Sequence, residues 1–230
     1  YTRSIVGSVD VYKRQVYKEL NPDAFSEVYV ARGFFDQRYY KDGSMEGPGN
    51  YRDSSKFKKA AEEEGISFII LDDYKKISNN LYATGTVERV VEKYNGPKGF
   101  YLDKDLTIPD IIRDDQSVGM LTDNGWIMMS GCGHSGIINT AMKLQSIKNE
   151  PVYGAIGGFH LFKASDNTIS TTANWLKDNG LTKFMGGHCT GIYAAETIAD
   201  IVGITRENLS HTAIGSVLTK ELNIIRSSVE

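Results

Sequence analysis

The sequence predicts an α/β protein, and three observations in its second half carry that expectation. Short apolar runs of strand character alternate with amphipathic runs of helical period between residues 126 and 218. Three of the strand-like runs end in glycine-flanked histidines: Gly131-Cys-Gly-His134, Gly157-Gly-Phe-His160 and Gly187-His188. The spacings of 26 and 28 residues between these histidines each fit one strand–helix–strand unit.

Composition narrows the class. At 230 residues the chain is long enough for one sizeable core. With 40% hydrophobic residues, 24% charged residues and five prolines it reads as globular rather than disordered or fibrous. The formal charge of −3 offers no broad basic face for a phosphate backbone, so nucleic acid is not an expected partner. The longest apolar runs, Phe68–Leu71 and Trp126–Met129, fall far short of the roughly 20 residues that span a bilayer. Two cysteines, Cys132 and Cys189, make no disulfide framework and point to a reducing compartment, the cytoplasm. What remains is a small-molecule substrate. No feature of the sequence sets an oligomeric state.

Residues 1–15 read as foreign. Asp10-Val-Tyr-Lys-Arg-Gln15 is what GATGTGTATAAGAGACAG encodes, which resembles the mosaic end of transposase-based sequencing libraries. Val6-Gly-Ser-Val9 fits the stretch upstream in such adapters. The alternative is an ordinary polar strand; the contiguous match favours adapter translation, which leaves 16–230 as a domain cut at its start.

From Val16 the chain reads as a helix tail, a turn at Asn21-Pro22-Asp23, and a strand over Ser26–Ala31. Ser54 or Ser55 can cap a helix through Glu64, with Gly65 as its stop and Ser67–Leu71 as the next strand. Leu81–Val87 reads as a strand, and residues 93–110 as irregular. Asp123-Asn124-Gly125 between apolar runs is a hairpin signal, because Asn-Gly accepts positive φ. A helix from Ser135 places Ile137, Ile138, Ala141, Met142 and Leu144 inward. Strand Val152–Ile156, helix Ile169–Asp178, strand Lys183–Met185, helix Ile192–Val202 and strand Thr212–Leu218 complete the series.

His134, His160 and His188 each follow a strand and precede a helix, so all three project from the carboxyl ends of strands, where α/β folds place their sites. Imidazole is a common ligand for zinc and other divalent ions, and ligands from separate strand ends can converge. A lone histidine is more often a satisfied structural residue, which is the reading for His211. Three in the same placement favour a shared metal site.

Gly131-Cys-Gly-His-Ser-Gly136, Gly157-Gly-Phe-His-Leu161 and Gly187-His-Cys-Thr-Gly191, with Gly85-Thr-Val-Glu-Arg89 and Asp114-Asp-Gln116, resemble the C-terminal motifs of a prokaryotic metallo-β-lactamase-superfamily group. That group includes archaeal dihydropterin-ribofuranosylaminobenzene-phosphate synthase-like proteins. The resemblance covers roughly residues 16–218 and implies an αββα sandwich with a one- or two-metal site. There a metal-activated hydroxide attacks a carbonyl or phosphoryl centre, since a metal brings the pKa of bound water toward about 7. Carried over, His134 resembles the ligand between the two metal positions and His188 the late ligand of the second. His160 stands where many relatives place a bridging aspartate, and is either a ligand or a substrate contact. The superfamily's His-x-His-x-Asp-His motif is absent from this chain. The resemblance therefore implies a fold lacking part of its N-terminal half, with weak metal binding and little activity as written.

Other residues carry competing readings. Thr190, at the start of the helix from Ile192, is either an N-cap or a contact for an anionic group. Arg89 is either a surface arginine or a contact for a substrate phosphate. Asp114 and Asp115 are solvated turn residues or paired acids. Cys132 and Cys189 are buried filler or catalytic thiols paired with histidine. The expected function is a metal-dependent hydrolase or related transferase acting on a small phosphorylated or pterin-like substrate with zinc or another divalent metal. A cysteine-dependent acyl hydrolase and a non-catalytic ligand-binding member of the fold are the alternatives.

Overall fold

The computed structural model describes residues 19–21, 26–46, 53–93 and 98–226, and the adapter-like residues 1–15 lie outside that set. The chain forms two compact units. The first takes the residues through Asp72 together with 97–114; the second takes 73–96 and everything from Asp115 onward.

In the first unit, β1 (Glu27–Ala31) and β4 (Ser67–Leu71) pair in parallel, Val30 opposite Ile70. Between them lies α1 (Ser54–Glu63). Its cap is Asp53, not either serine: the carboxylate accepts from the Ser55 and Lys56 amides, and burial of Ser54 leaves that residue inside the first turn. Phe34, Phe35, Phe57 and Phe68 pack edge to face with centroids 4.9–6.3 Å apart. The stretch 93–110 is less irregular than its composition predicts. Phe100–Tyr101 forms β7 and pairs with β2 (Arg38–Tyr40), which also pairs with β3 (Met45–Glu46).

The second unit is built on a seven-stranded sheet in the order β12-β11-β10-β9-β8-β6-β5. Its strands are β5 (Lys75–Lys76), β6 (Leu81–Ala83), β8 (Ser117–Thr122), β9 (Gly125–Ser130), β10 (Val152–Gly157), β11 (Lys183–Gly186) and β12 (Leu209–Ser210). From β5 to β9 the neighbours are antiparallel, and from β9 to β12 they are parallel. Helices α2 (Ile137–Ile147), α3 (Asp166–Asp178) and α4 (Ile192–Val202) make the three crossovers. Because each new parallel strand adds to the same edge, right-handed crossovers stack all three helices on one face. The core lies between them and the sheet: Trp126, Met128, Ile138, Leu144, Leu176, Phe184 and Ile198 are each at most 1% exposed.

Four expectations shift. Leu81–Val87 is a strand only to Ala83, because Gly85 turns at φ +61 with the Asp73 carbonyl 2.3 Å from where a Cβ would stand. The hairpin turns at Asp123-Asn124, with Thr122 opposite Gly125, and only the glycine takes positive φ. Met142 is 36% exposed, so α2 buries Ile137, Ile138, Ala141 and Leu144 without it. Thr212–Leu218 is not the closing strand. Leu209–Ser210 pairs with β11 instead, while Val217–Leu218 (β13) turns away to pair with Ile224–Ile225 (β14) after Gly215 at φ +88. Among the described residues, no helix is long and apolar enough to cross a membrane.

Candidate metal centre

The loops after β9, β10 and β11 are neighbours because their strands are, and each carries one histidine. The loop after β9 is held by Asp115. Its carboxylate accepts from the Ser135 amide at 2.8 Å and from the His134 amide. Burial raises the Asp115 carboxyl above its ordinary range, against the pull of those amides and of the Arg89 charge. Behind the same loop, Glu92 Oε2 accepts from Ile138 N at 2.7 Å and Asn139 N at 3.1 Å, so a carboxylate caps α2 where Gly136 offers no side chain.

The glycines around the histidines are there for space. A Cβ on Gly157, at φ +117, would stand 1.9 Å from the Ser130 carbonyl oxygen. On Gly158 it would stand 2.5 Å from the Gly131 carbonyl and 2.9 Å from Cys189 Sγ. Gly158→Ala must therefore move backbone, and a loss of about 1–3 kcal/mol is expected, read as a lowered midpoint in urea. An unchanged midpoint would show that the two loops give way freely. The histidines carry strain of their own. His160 at φ +48 and His188 at φ +51 occupy the left-handed region that non-glycine residues rarely adopt.

The histidine rings do not gather as one trio; they meet through the cysteines. His134 and His160 lie with ring centroids 4.5 Å apart, and Cys132 Sγ is 3.6 Å from His160 Nδ1. Cys132 Sγ is also 3.1 Å from Cys189 Sγ. Two donor sets result, Cys132–His134–His160 and Cys132–Cys189–His188, each with its ligand atoms within 4.8 Å of one another. His188 is exposed and the other four are half-buried. The Cys132 thiol hydrogen bond, helped by His160, lowers the Cys189 thiol to about 5 against the effect of burial, and the same bond raises Cys132. Imidazole nitrogen and thiol sulfur suit a borderline divalent ion such as zinc, so the residues present fit a metal.

No family model matches the chain. The 7,8-dihydropterin-6-methyl-4-(β-D-ribofuranosyl)-aminobenzene-5'-phosphate synthase of Methanocaldococcus jannaschii is 33% identical over 143 residues, 60% of this chain and 48% of the relative. Uncharacterized protein MJ0448 of the same organism is 31% identical over 135 residues, 57% of this chain and 48% of the relative. Among solved structures, Tm1679, a metal-dependent hydrolase of the β-lactamase superfamily, aligns with a TM-score of 0.63 at 21% identity, over 76% of this chain and 65% of that one. The chain is a metallo-β-lactamase-fold protein. It spans about half the length of the curated relatives it matches.

Within this metallo-β-lactamase-fold chain, two expected substrate contacts are placed elsewhere. Thr190 is fully buried; its hydroxyl donates to Gly157 O at 3.0 Å and accepts from Phe159 N at 3.1 Å. With both bonds made inside the fold it ties the β10 loop to the β11 loop, and it is not the cap of α4, which is Gly191. Arg89 is half-buried, and its charge opposes the rise of the Asp115 carboxyl. Neither lines the cavity beside His134 and His160, about 540 Å³, whose polar lining includes Glu92, Lys93, Lys163 and Thr168. Asp115 is not a solvated turn residue, and Asp114 pairs with Arg38 in the first unit. His211 keeps the plain reading, with its ring nitrogens against Gly186 O and Glu196.

Asp115 reads in the sequence as a turn residue or an acid, and the cysteines as filler or catalytic thiols, each within two positions of a histidine. Glu92 is the site residue that sequence reasoning missed, since its partners on α2 lie 46 and 47 positions away.

Proposed function

We propose that this chain carries the later half of the metal centre of a hydrolase or related transferase. One observation carries the reading: the carboxyl ends of three neighbouring strands deliver His134, His160 and His188, with Cys132 and Cys189, into two adjoining donor sets, and His134 and His160 line a cavity. His134, His160 and His188 would hold the ion or ions, one or two, with zinc the expected identity. Such an ion, when bound, supplies Lewis acidity and makes hydroxide available near neutral pH. The chain's own residues do the rest. Asp115 and Glu92 fix the His134 loop, and Lys93 and Lys163 give the cavity wall positive charge.

That charge supports a small phosphorylated substrate. The pterin-containing phosphate in the name of the Methanocaldococcus jannaschii relative supports a pterin-like one. A cavity of this size suits a small molecule. Neither a nucleic acid nor a membrane partner is proposed, and the two free thiols fit a reducing cytoplasm.

Removal of metal is the test. Treatment of the active protein with a chelator should abolish turnover of phosphoester and ester substrates, and zinc should restore it. The lowered Cys189 thiol and the Cys132–His160 contact favour one rival, a cysteine-dependent acyl hydrolase. Turnover that resists the chelator and is lost on thiol alkylation would establish that rival instead.

A further inference from the structure

We infer that Cys132 and Cys189 are themselves metal ligands, forming with His188 a thiolate–imidazole site for a borderline divalent ion such as zinc or cobalt(II). The inference rests on the metal-dependent reading above and goes beyond it, since that reading uses histidines alone.

Three observations carry it. The first is convergence: the sulfurs lie 3.1 Å apart although their residues are 57 positions apart in sequence, and a His188 nitrogen is within 4.8 Å of both. A tetrahedral ion with metal–sulfur bonds of about 2.3 Å holds two sulfurs roughly 3.8 Å apart. The pair therefore opens by less than about 1 Å, a small side-chain adjustment. The Cys189 thiol also reaches the Cys132 carbonyl at 3.1 Å, so the two cysteine loops are held against each other with both sulfurs facing the imidazoles.

The second is support for the sulfur. The His160 amide donates to Cys189 Sγ at 3.2 Å and so fixes where the sulfur points, as an outer partner of a metal ligand does. The third is backbone strain at His160, whose amide meets Cys189 Sγ, and at His188, which precedes Cys189 in the chain. Gly158 is left without a side chain where a Cβ would meet Cys189 Sγ at 2.9 Å and His188 Cδ2 at 3.0 Å. The β10 loop thus makes room for the sulfur and the ring together. Cys132 also stands beside His134 and His160, so a second ion on those histidines would share its sulfur. All five donors come from the second unit.

Cobalt(II) separates the two levels of the argument. The full chain, reduced, stripped of metal and held without oxygen, is titrated with cobalt while the near-ultraviolet and visible spectra are recorded. Thiolate ligation predicts an intense sulfur-to-cobalt charge-transfer band in the near ultraviolet that saturates as the ion binds. Cys132→Ser and Cys189→Ser should each weaken that band and lower cobalt affinity by about 10–100-fold, and the double variant should lose the band. Circular dichroism of each variant checks that it folds, and serine keeps the shape. Cobalt bound with visible bands but no charge-transfer band overturns thiolate ligation and leaves the histidine-based reading standing. No cobalt bound, with both thiols shown to be reduced, overturns the thiolate site and withdraws support from the metal-dependent reading for this chain.

Discussion

Asn139→Ala is expected to lower the unfolding free energy of the second unit by about 2–4 kcal/mol, a large cost for one side chain on a helix. Asn139 is 2% exposed, and its Oδ1 accepts from three successive amides, those of Val90, Val91 and Glu92. Its Nδ2 donates to Glu92 O at 2.8 Å and to Ser135 O at 2.7 Å. Glu92 returns the favour by accepting from the Asn139 and Ile138 amides. Segment 90–92 and the first turn of α2 are thus tied in both directions. Alanine deletes five bonds at once and leaves three amides and two carbonyls without the partner that holds them together.

The same substitution should act on the site. Glu92 and Lys93 line the cavity beside His134, so releasing them widens it and frees the loop that presents the histidine. Hydrogen exchange is the direct measurement: the amides of 90–92 should lose protection before the sheet does. If exchange there is unchanged and the stability loss stays under about 1 kcal/mol, the tie is not what holds the loop.

Asn139 also shows where reading the sequence stops. The strand–glycine–histidine–helix rhythm was legible because it is local. A run such as Trp126–Ser130, a glycine turn and an amphipathic helix declare themselves within 20 residues, and Ile192–Val202 is a helix over the range its periodicity gives. Partners such as Asn139 and Val91, 48 positions apart, or Cys132 and Cys189, 57 apart, share no local pattern. Residue type misled as well. Thr190 before a helix suggests a cap or an anion contact, yet packing turns its hydroxyl back to Gly157 and Phe159. Asp114-Asp115 suggests an exposed turn, whereas the two carboxylates serve different units, one on Arg38 and one on the His134 loop. The glycines beside the histidines serve in two ways, Gly133 and Gly157 by taking positive φ and Gly158 by supplying room, while His160 and His188 take positive φ themselves.

Arg38→Met should be the most damaging change in the first unit, at about 3–5 kcal/mol, because it breaks a buried ion cluster from one side. The Arg38 guanidinium is 4% exposed; it donates through Nε to Asp110 at 2.5 Å and through an Nη to Asp114. Asp110 also accepts from the Ile112 amide, so the cluster fixes the chain from β2 to the end of the unit. Methionine matches the stem in size but leaves two carboxylates facing each other with no cation. The pH dependence follows in sign. Burial raises the Asp114 carboxyl above its ordinary 3.8 even though Arg38 pulls it down, and removing Arg38 raises it further. A carboxyl raised on folding contributes stability below its unfolded pKa and loses it as pH rises through the folded one. The deficit of Arg38→Met relative to the parent should therefore be smallest in acid and grow as pH climbs above 3.8 through the raised value. Urea unfolding of both proteins across that range is the measurement. A deficit independent of pH would mean that the cost is lost packing around the arginine stem and not the stranded carboxylates.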